Sequence, residues 1–390
     1  MTWFIDRLTI CQTHHQRLPL IGDKGYMTVD LHTGETSNEV RTSKTTVQAS
    51  HSTSLRVSCD GHTVIVEGNP SRFGRIENLV GLTTVEDCVA VYNQVLLRLG
   101  LPPFTTGNFE FLQGKDGEKQ RKFYSGAIIK HVDVTKNHCV GYKNERPFLR
   151  AVATLSLPNG KHPFLYPNGC TVDFSTTRST GGSSWDYTKI YVKAAELIEH
   201  EKKNLKNATP EDEKYYRELV EHCAFSGIVR EEHSWKAKKL ARYDLCYYGY
   251  VTLEQLVNHH TMTTLESLIK TLEVATVDYI TIADQLMQRN IVKSRQAANA
   301  TAQYCHQWQH GMSFHDTDKK RTNTSQYYVH KARLLALGID ISVPFCPTRN
   351  VIPTIHNRRT IERSDFVTPP WYRHATTRPT FELINCGKAA

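Results

Sequence analysis

The feature that most constrains this chain is a change of pattern along it. Up to about residue 195 it reads as short runs rich in Thr, Val and Ser, broken by Gly or Asp turns. Such runs fall at residues 1–12, 25–32, 40–50, 53–60 and 62–67, and Asp60-Gly61 between the last two is a hairpin signal. Beyond about residue 250 the punctuation is that of helices. Thr252 to Gln255 and Thr263 to Glu266 have capping-box spacing. Helices are expected over 280–290, over 293–310 before Gly311, and over 324–337 before Gly338. Strands first and helices later imply an α+β chain: an N-terminal antiparallel sheet followed by a helix-rich C-terminal module. The expected organisation is a β-rich domain over 1–200, a helical, basic connector over 201–250, and a helical module over 251–390 with an extended tail rich in Pro and Arg.

Two helices interrupt or follow the strands. Thr84 with Glu86 and Asp87 starts one that ends at Gly100, and Thr209-Pro210-Glu211-Asp212 starts another that stops at Gly227. Residues 114–122 read as a charged loop and Thr180 to Ser184 as a flexible turn. Gly126 to Thr135 reads as a strand. Its alternation places Lys130, Val132 and Val134 on one face and Ile129, His131, Asp133 and Thr135 on the other. Tyr187 to Lys193 reads as a strand or a strand-to-helix junction.

Charge and cysteine usage narrow the setting. Lys and Arg number 48 against 39 Asp and Glu, a net charge of +9, which suits an anionic partner such as a phosphate backbone. The ten cysteines form no Cys-x-x-Cys pair, against a zinc ribbon or disulfide framework and in keeping with a reducing cytoplasm. No apolar run is long enough to cross a bilayer, and Asp6 and Arg7 interrupt the apolar N-terminus, so no membrane association or signal peptide is expected.

Four stretches carry chemistry. The run Thr63 to Val66 drops into the turn Gly68-Asn69-Pro70, after which Arg72 and Arg75 flank Phe73. This suits a nucleic-acid grip, and equally a tight turn with solvated arginines. His131-Val132-Asp133 places two ligand types on one strand face, about 7 Å apart, which suits a divalent cation or an ordinary half-exposed strand. Tyr191 with Lys193 offers a nucleophile and an ammonium to hold its phenolate, or a core tyrosine and a solvated lysine. Lys236, Lys238, Lys239 and Arg242, beside Trp235, Tyr243, Tyr247, Tyr248 and Tyr250, suit a phosphate track with stacking platforms, or a solvated helix face.

Taken in order, these stretches resemble the gene II replication proteins of filamentous phages, which start rolling-circle DNA replication. Phe4-Ile-Asp-Arg-Leu-Thr-Ile10 resembles the family's opening strand. Glu67-Gly-Asn-Pro-Ser-Arg-Phe73 and Asn78-Leu-Val-Gly81 resemble its turn, although the family's Gln-Gly-His-Asn stands here as Arg75-Ile76-Glu77-Asn78. Ile129 to Thr135 resembles the strand carrying the family's aspartate, at Asp133. Tyr191-Val-Lys-Ala-Ala-Glu-Leu197 resembles the segment with the DNA-linking tyrosine, and Ser226 to Arg230 with Glu232 resembles a later run of the family. Leu337 to Asp340, Asn350 to Pro353 and Trp371-Tyr372 resemble the C-terminal module. The similarity spans about residues 4–373.

The resemblance implies a nicking domain over 1–200 related to the His-hydrophobe-His endonucleases. Tyr191 would be the nucleophile that forms a 5′-phosphotyrosyl DNA intermediate, with Lys193 stabilising its phenolate. Asp133, with His131 and Glu67, would hold Mg²⁺ or Mn²⁺. Arg72, Arg75, Lys236, Lys238, Lys239 and Arg242 would contact DNA, and Glu196, Arg230 and Glu232 would support the site. The implied partners are replicative-form duplex and single-stranded origin DNA, with host helicase and polymerase, in the bacterial cytoplasm. Two rivals stand beside this reading. One is a non-catalytic origin-binding regulator, including a shorter product started at Met262, Met287 or Met312. The other is a tyrosine recombinase using His356 to Arg359 and Tyr372.

Overall fold

The computed structural model describes residues 3–51, 53–112, 121–155, 157, 160–175, 184–270, 275–279, 281–312, 324–346, 356–361 and 363–377. Most of the 114–122 loop, most of the 180–184 turn and the 350–353 run lie outside them. The described elements begin with β1 (Phe4–Thr13), β2 (Gly25–Val29), β3 (Thr36–Thr42), β4 (Thr45–Ala49), β5 (Thr53–Cys59) and β6 (Thr63–Gly68). Then come α1 (Val85–Arg98), β7 (Phe109–Leu112), β8 (Arg121–Tyr124), β9 (Ile128–Cys139), α2 (Glu145–Val152), β10 (His162–Leu165), β11 (Thr171–Ser175) and β12 (Asp186–Val192). These are followed by α3 (Lys193–Asn204), α4 (Pro210–Ser226), β13 (Ile228–Lys236), α5 (Ala237–Arg242), α6 (Leu253–Val257) and α7 (His260–Lys270). The chain continues through β14 (Ala275–Tyr279), α8 (Ile282–Gln288), α9 (Arg295–Gln309), α10 (Thr324–Leu335), β15 (His356–Thr360) and β16 (Ser364–Asp365).

Residues 1–273 and 361–390 form one compact unit, and 274–360 a second. These boundaries differ from the expected 200 and 250. Residues 228–236 are no connector: they supply β13, an interior strand of the main sheet. The fold is α+β with a large antiparallel sheet of order β10-β11-β12-β13-β9-β1-β6-β5-β4, to which β16 adds at β9. In the second unit β14 pairs with β15, and α8, α9 and α10 pack around Leu286, Ala298, Cys305, Trp308 and Leu334.

Local signals explain most elements. The hydroxyls of Thr84, Thr209 and Thr252 each accept a hydrogen bond from the backbone N–H three residues on, capping α1, α4 and α6. Asp60 accepts from the His62 and Thr63 amides and closes the β5–β6 hairpin. The Thr263 cap is corrected: α7 starts at His260, so Thr263 lies inside it. Arg121 and Lys122 stand in β8 rather than in a loop, and the expected strand over 40–50 divides into the end of β3 and β4.

The sheet has two unlike faces. Ile5, Leu8 and Ile10 of β1, Val64 and Val66 of β6, and Val132 and Val134 of β9 pack with Val85, Val89, Tyr92 and Leu96 of α1. Each such side chain contributes about 1.5–3 kcal/mol of burial. Ile129 joins this core, although simple alternation places it with His131. The register explains the difference. Thr9 pairs with His131 and Ile10 with Ile129, so Lys130 is an extra residue bulged out of β9. A second bulge makes Asp6 the extra residue of β1, between Ile5 opposite Val134 and Arg7 opposite Asp133.

Candidate functional site

The other face of the sheet is polar. Cross-strand partners share a face. Glu67 stands opposite Thr9, Thr9 opposite His131, and His131 opposite Lys236. Asp133 stands opposite Ser234, Glu232 opposite Lys189, and Arg230 opposite Tyr191. This row floors a cleft of about 710 Å³, walled by Ala195, Glu196, Glu199, His200 and Lys203 of α3 and by Asn69, Arg72 and Asn78 of the turn after β6. Of the residues singled out from sequence, Tyr191, His131, Asp133, Glu67, Arg72, Lys236, Glu196 and Glu232 all line it.

Tyr191 is buried, 8% exposed, at the end of β12. Its hydroxyl lies 3.4 Å from Glu232 Oε2, to which it donates. Lys189 Nζ lies 5.1 Å from the Tyr191 ring centroid and 2.9 Å from Glu232 Oε1. Burial pushes the phenol well above its usual range, with Glu232, Glu196 and Asp6 adding to the shift and Arg230 opposing it. Burial also pushes the Glu232 carboxyl up to about 7, against the pull of Lys189 and with the push of Asp133 and Asp6.

His131 Nε2 stands 2.8 Å from Asp133 Oδ1, yet neither atom has a well-formed hydrogen bond. Burial alone would raise the Asp133 carboxyl; the His131 ring, Ser234 and Lys189 outweigh it and hold it below its usual value. Among the described residues, the buried polar atoms without a hydrogen bond include Arg7 Nε, Arg72 Nε, His131 Nε2 and Asp133 Oδ1, all on residues of this cleft. Such orphans are rare in a folded interior and mark a place where a ligand completes the bonding. No set of three or more His, Cys, Asp or Glu side chains among the described residues is arranged to hold a metal. The imidazole and carboxylate of this pair could hold a cation that takes its other ligands from outside the chain.

Other placements correct the reading from sequence. Lys193 is fully buried, and its ammonium donates to Asn78 Oδ1 at 2.8 Å and Glu196 Oε2 at 2.7 Å. It begins α3, so its side chain leaves the strand alternation that would have put it beside Tyr191. Glu196, held by Lys193, has its carboxyl lowered to about 2. Glu67 is taken up by ion pairs with Lys44 and Arg56, which argues against a metal-ligand role. Arg75 is not among the residues lining the cleft and donates to Glu77, Tyr372 and the Ser71 carbonyl. Lys239 is buried against Asp186 at 2.8 Å and over the Trp235 ring at 3.8 Å, a structural cation rather than a DNA contact. Lys238 and Arg242 are exposed on α5, outside the cleft lining. Tyr247 packs edge-on against Phe109 and Tyr124, and Tyr250 packs edge-on against Tyr124 and tilted against Phe109.

Sequence reasoning missed Asp6 and Lys189, and named Arg230 only as a supporting residue. Asp6 lines the cleft and accepts from Asn69 and Asn78 at 2.8 and 2.7 Å. The signal was a carboxylate inside an otherwise apolar strand. Lys189, rather than Lys193, is the lysine that shares the strand alternation of Tyr191. Arg230 is buried behind Tyr191 and donates to Asn137 and to the carbonyls of Asn78 and Leu79. The recombinase rival fails on placement. Tyr372 is buried, its hydroxyl bound to the Val80 amide, Arg75 and Glu77, and residues 356–360 are a strand, not a helix.

The chain is 35% identical over 323 residues to the gene II replication-associated protein of Escherichia phage If1, an alignment covering 82% of this chain and 97% of that relative. The chain belongs to the gene II replication-associated protein family. Residues 286–377 also match the family model for the C-terminal part of this replication-associated protein. That match runs from the second compact unit into the returning segment that carries β16 and Tyr372. Among the described residues no helix is long and apolar enough to cross a membrane, and Cys11, Cys59, Cys88, Cys139, Cys170, Cys223, Cys246 and Cys305 are free thiols.

Proposed function

We propose that this chain initiates rolling-circle replication of phage DNA in the bacterial cytoplasm, nicking one origin strand by transesterification at Tyr191. The observation that carries the reading is one cleft lined by Tyr191 and by the His131–Asp133 pair with its unsatisfied buried atoms. The endonuclease activity, the kinship with His-hydrophobe-His nucleases and the strand-joining step are parts of this proposal. Duplex replicative-form DNA and the single strand melted from it are the proposed substrates, and host helicase and polymerase would extend the nicked end.

Each residue then has a task. Arg72 and Lys236 face the cleft and meet the phosphate backbone. Glu232 Oε2, 3.4 Å from the hydroxyl, accepts the phenolic proton. The phenolate oxygen attacks the phosphorus in line, the bond from phosphorus to the 3′ oxygen breaks, and that oxygen takes a proton from water. The 5′ phosphate is left esterified to Tyr191. Because the phosphoester energy is kept, attack by a later 3′-OH reverses the step and closes the displaced circle. Bound at His131 and Asp133, Mg²⁺ or Mn²⁺ would supply polarisation of the scissile phosphate. Asn78 and Arg230 hold the turn and β13 in register, and Glu196 neutralises buried Lys193.

The test is adduct formation on single-stranded origin DNA, with mass spectrometry of the linked peptide. Tyr191→Phe should abolish the adduct and leave DNA affinity intact. Binding without any adduct from the unaltered chain would mark it instead as a non-catalytic regulator.

A further inference from the structure

The reading above needs a cation at Tyr191, and Lys193 is turned elsewhere. Lys189 is the ammonium in place. It shares the strand face of Tyr191, two residues earlier on β12, and it lines the cleft. Glu232 stands directly opposite it on β13. The carboxylate thus gives one oxygen to Lys189, at 2.9 Å, and the other to the Tyr191 hydroxyl, at 3.4 Å. Arg230 also lies near and opposes the rise of the Tyr191 phenol, with its Nε and Nη2 held by Asn137 and two loop carbonyls. It provides a static charge, whereas the Lys189 side chain is about a third exposed to the cleft.

We infer that Lys189 is a further catalytic residue of the nicking step, staying against the negative charge as it passes from Glu232 to the Tyr191 oxygen. The inference rests on the nicking reading. Before the step Glu232 carries one negative charge, Lys189 one positive charge, and Tyr191 none. The proton moves from the phenol to Glu232 Oε2, which leaves Glu232 neutral and the phenolate negative. The three groups sum to zero before and after, so no net charge is created in a buried site, where that would cost most. The phenolate oxygen then bonds to phosphorus and the 3′ oxygen departs. A lysine bound to the proton acceptor at 2.9 Å and 5.1 Å from the Tyr191 ring centroid stabilises this transfer without reorganisation.

The experiment uses the full chain and a single-stranded oligonucleotide carrying the cleavage position mapped with the unaltered protein. Lys189→Met is expected to slow single-turnover adduct formation by about 100-fold or more, with affinity for the uncleaved oligonucleotide within about threefold. Lys189→Arg should stay within about tenfold of the unaltered rate, because it keeps the charge. Sulfur in place of the bridging 3′ oxygen makes a leaving group that needs no proton. It should not rescue Lys189→Met, since the lysine acts on the nucleophile. An unaltered rate in Lys189→Met, or full rescue by sulfur, overturns the inference. If Lys189→Met does not fold, the double variant with Glu232→Gln removes the unpaired buried carboxylate. That double should be slower still than Glu232→Gln alone, because the phenolate has lost its ammonium, and an equal rate overturns the inference. A chain that forms no adduct, or one elsewhere than Tyr191, defeats the nicking reading itself. An adduct at Tyr191 with Lys189→Met unaffected defeats only this inference.

Discussion

Glu232→Gln should make the protein less sensitive to alkaline pH while slowing its chemistry. Burial, reinforced by Asp133 and Asp6, lifts the Glu232 carboxyl from 4.5 to about 7 in the folded chain. Between those values the folded protein holds a proton that the unfolded chain has released. Stability from this group therefore falls as pH rises through that window, and stays low above it. Between pH 5 and pH 8 the loss is on the order of 2–3 kcal/mol, from the ~1.4 kcal/mol that each tenfold change in proton binding is worth. Glutamine keeps the shape and cannot ionise, so the variant should lack this loss. Urea unfolding of both proteins at pH 5 and pH 8 in EDTA measures it. Their stability difference should shift by about 2–3 kcal/mol in favour of the variant at the higher pH, at unchanged denaturant slope. Adduct formation by the variant should be slower by about 10²–10⁴-fold, the range for losing a positioned proton acceptor. A stability difference that is the same at both pH values would refute the argument that burial holds this proton.

Two further outcomes test the placement of residues away from the cleft. Lys239→Met should lower stability by about 2 kcal/mol, because it breaks a buried ion pair while leaving Asp186 its second partner, Lys161. DNA affinity measured by filter binding should change less than about twofold, as expected of an ion-pair lysine rather than a phosphate contact. Gly227→Ala should cost at least about 2 kcal/mol in chemical denaturation. Gly227 ends α4 at φ +61°, and an added Cβ would meet the Gly141 carbonyl oxygen at 2.0 Å.

The sequence carried the cleft in pieces. Tyr191, Asp133, His131 and Glu67 were each singled out and line one cleft, because β-alternation predicts which face a side chain takes once the strand is recognised. Reasoning by alternation failed where the alternation itself breaks. At Lys193 the strand has become a helix, so the lysine turns to Asn78 and Glu196 and Lys189 takes the place beside Tyr191. At Lys130 and Asp6 single-residue bulges re-phase the strands, moving Ile129 into the core and Asp6 into the cleft lining. The basic run 236–242 looked uniform in sequence. Its lysines part company because Lys236 ends a strand at the cleft while Lys239 faces Asp186.

By itself the sequence determined the local elements: capped helices after Thr84, Thr209 and Thr252, the hairpin at Asp60-Gly61, and a polar face on β9. Such features depend on neighbours within a few residues, and their physics is local. Only the tertiary structure decided which strands lie side by side. The order β12-β13-β9-β1-β6 sets Tyr191, Glu232, Asp133 and Glu67 along one face, although they are far apart in the chain. That pairing depends on long-range register and on burial against α1, which no short window of sequence encodes.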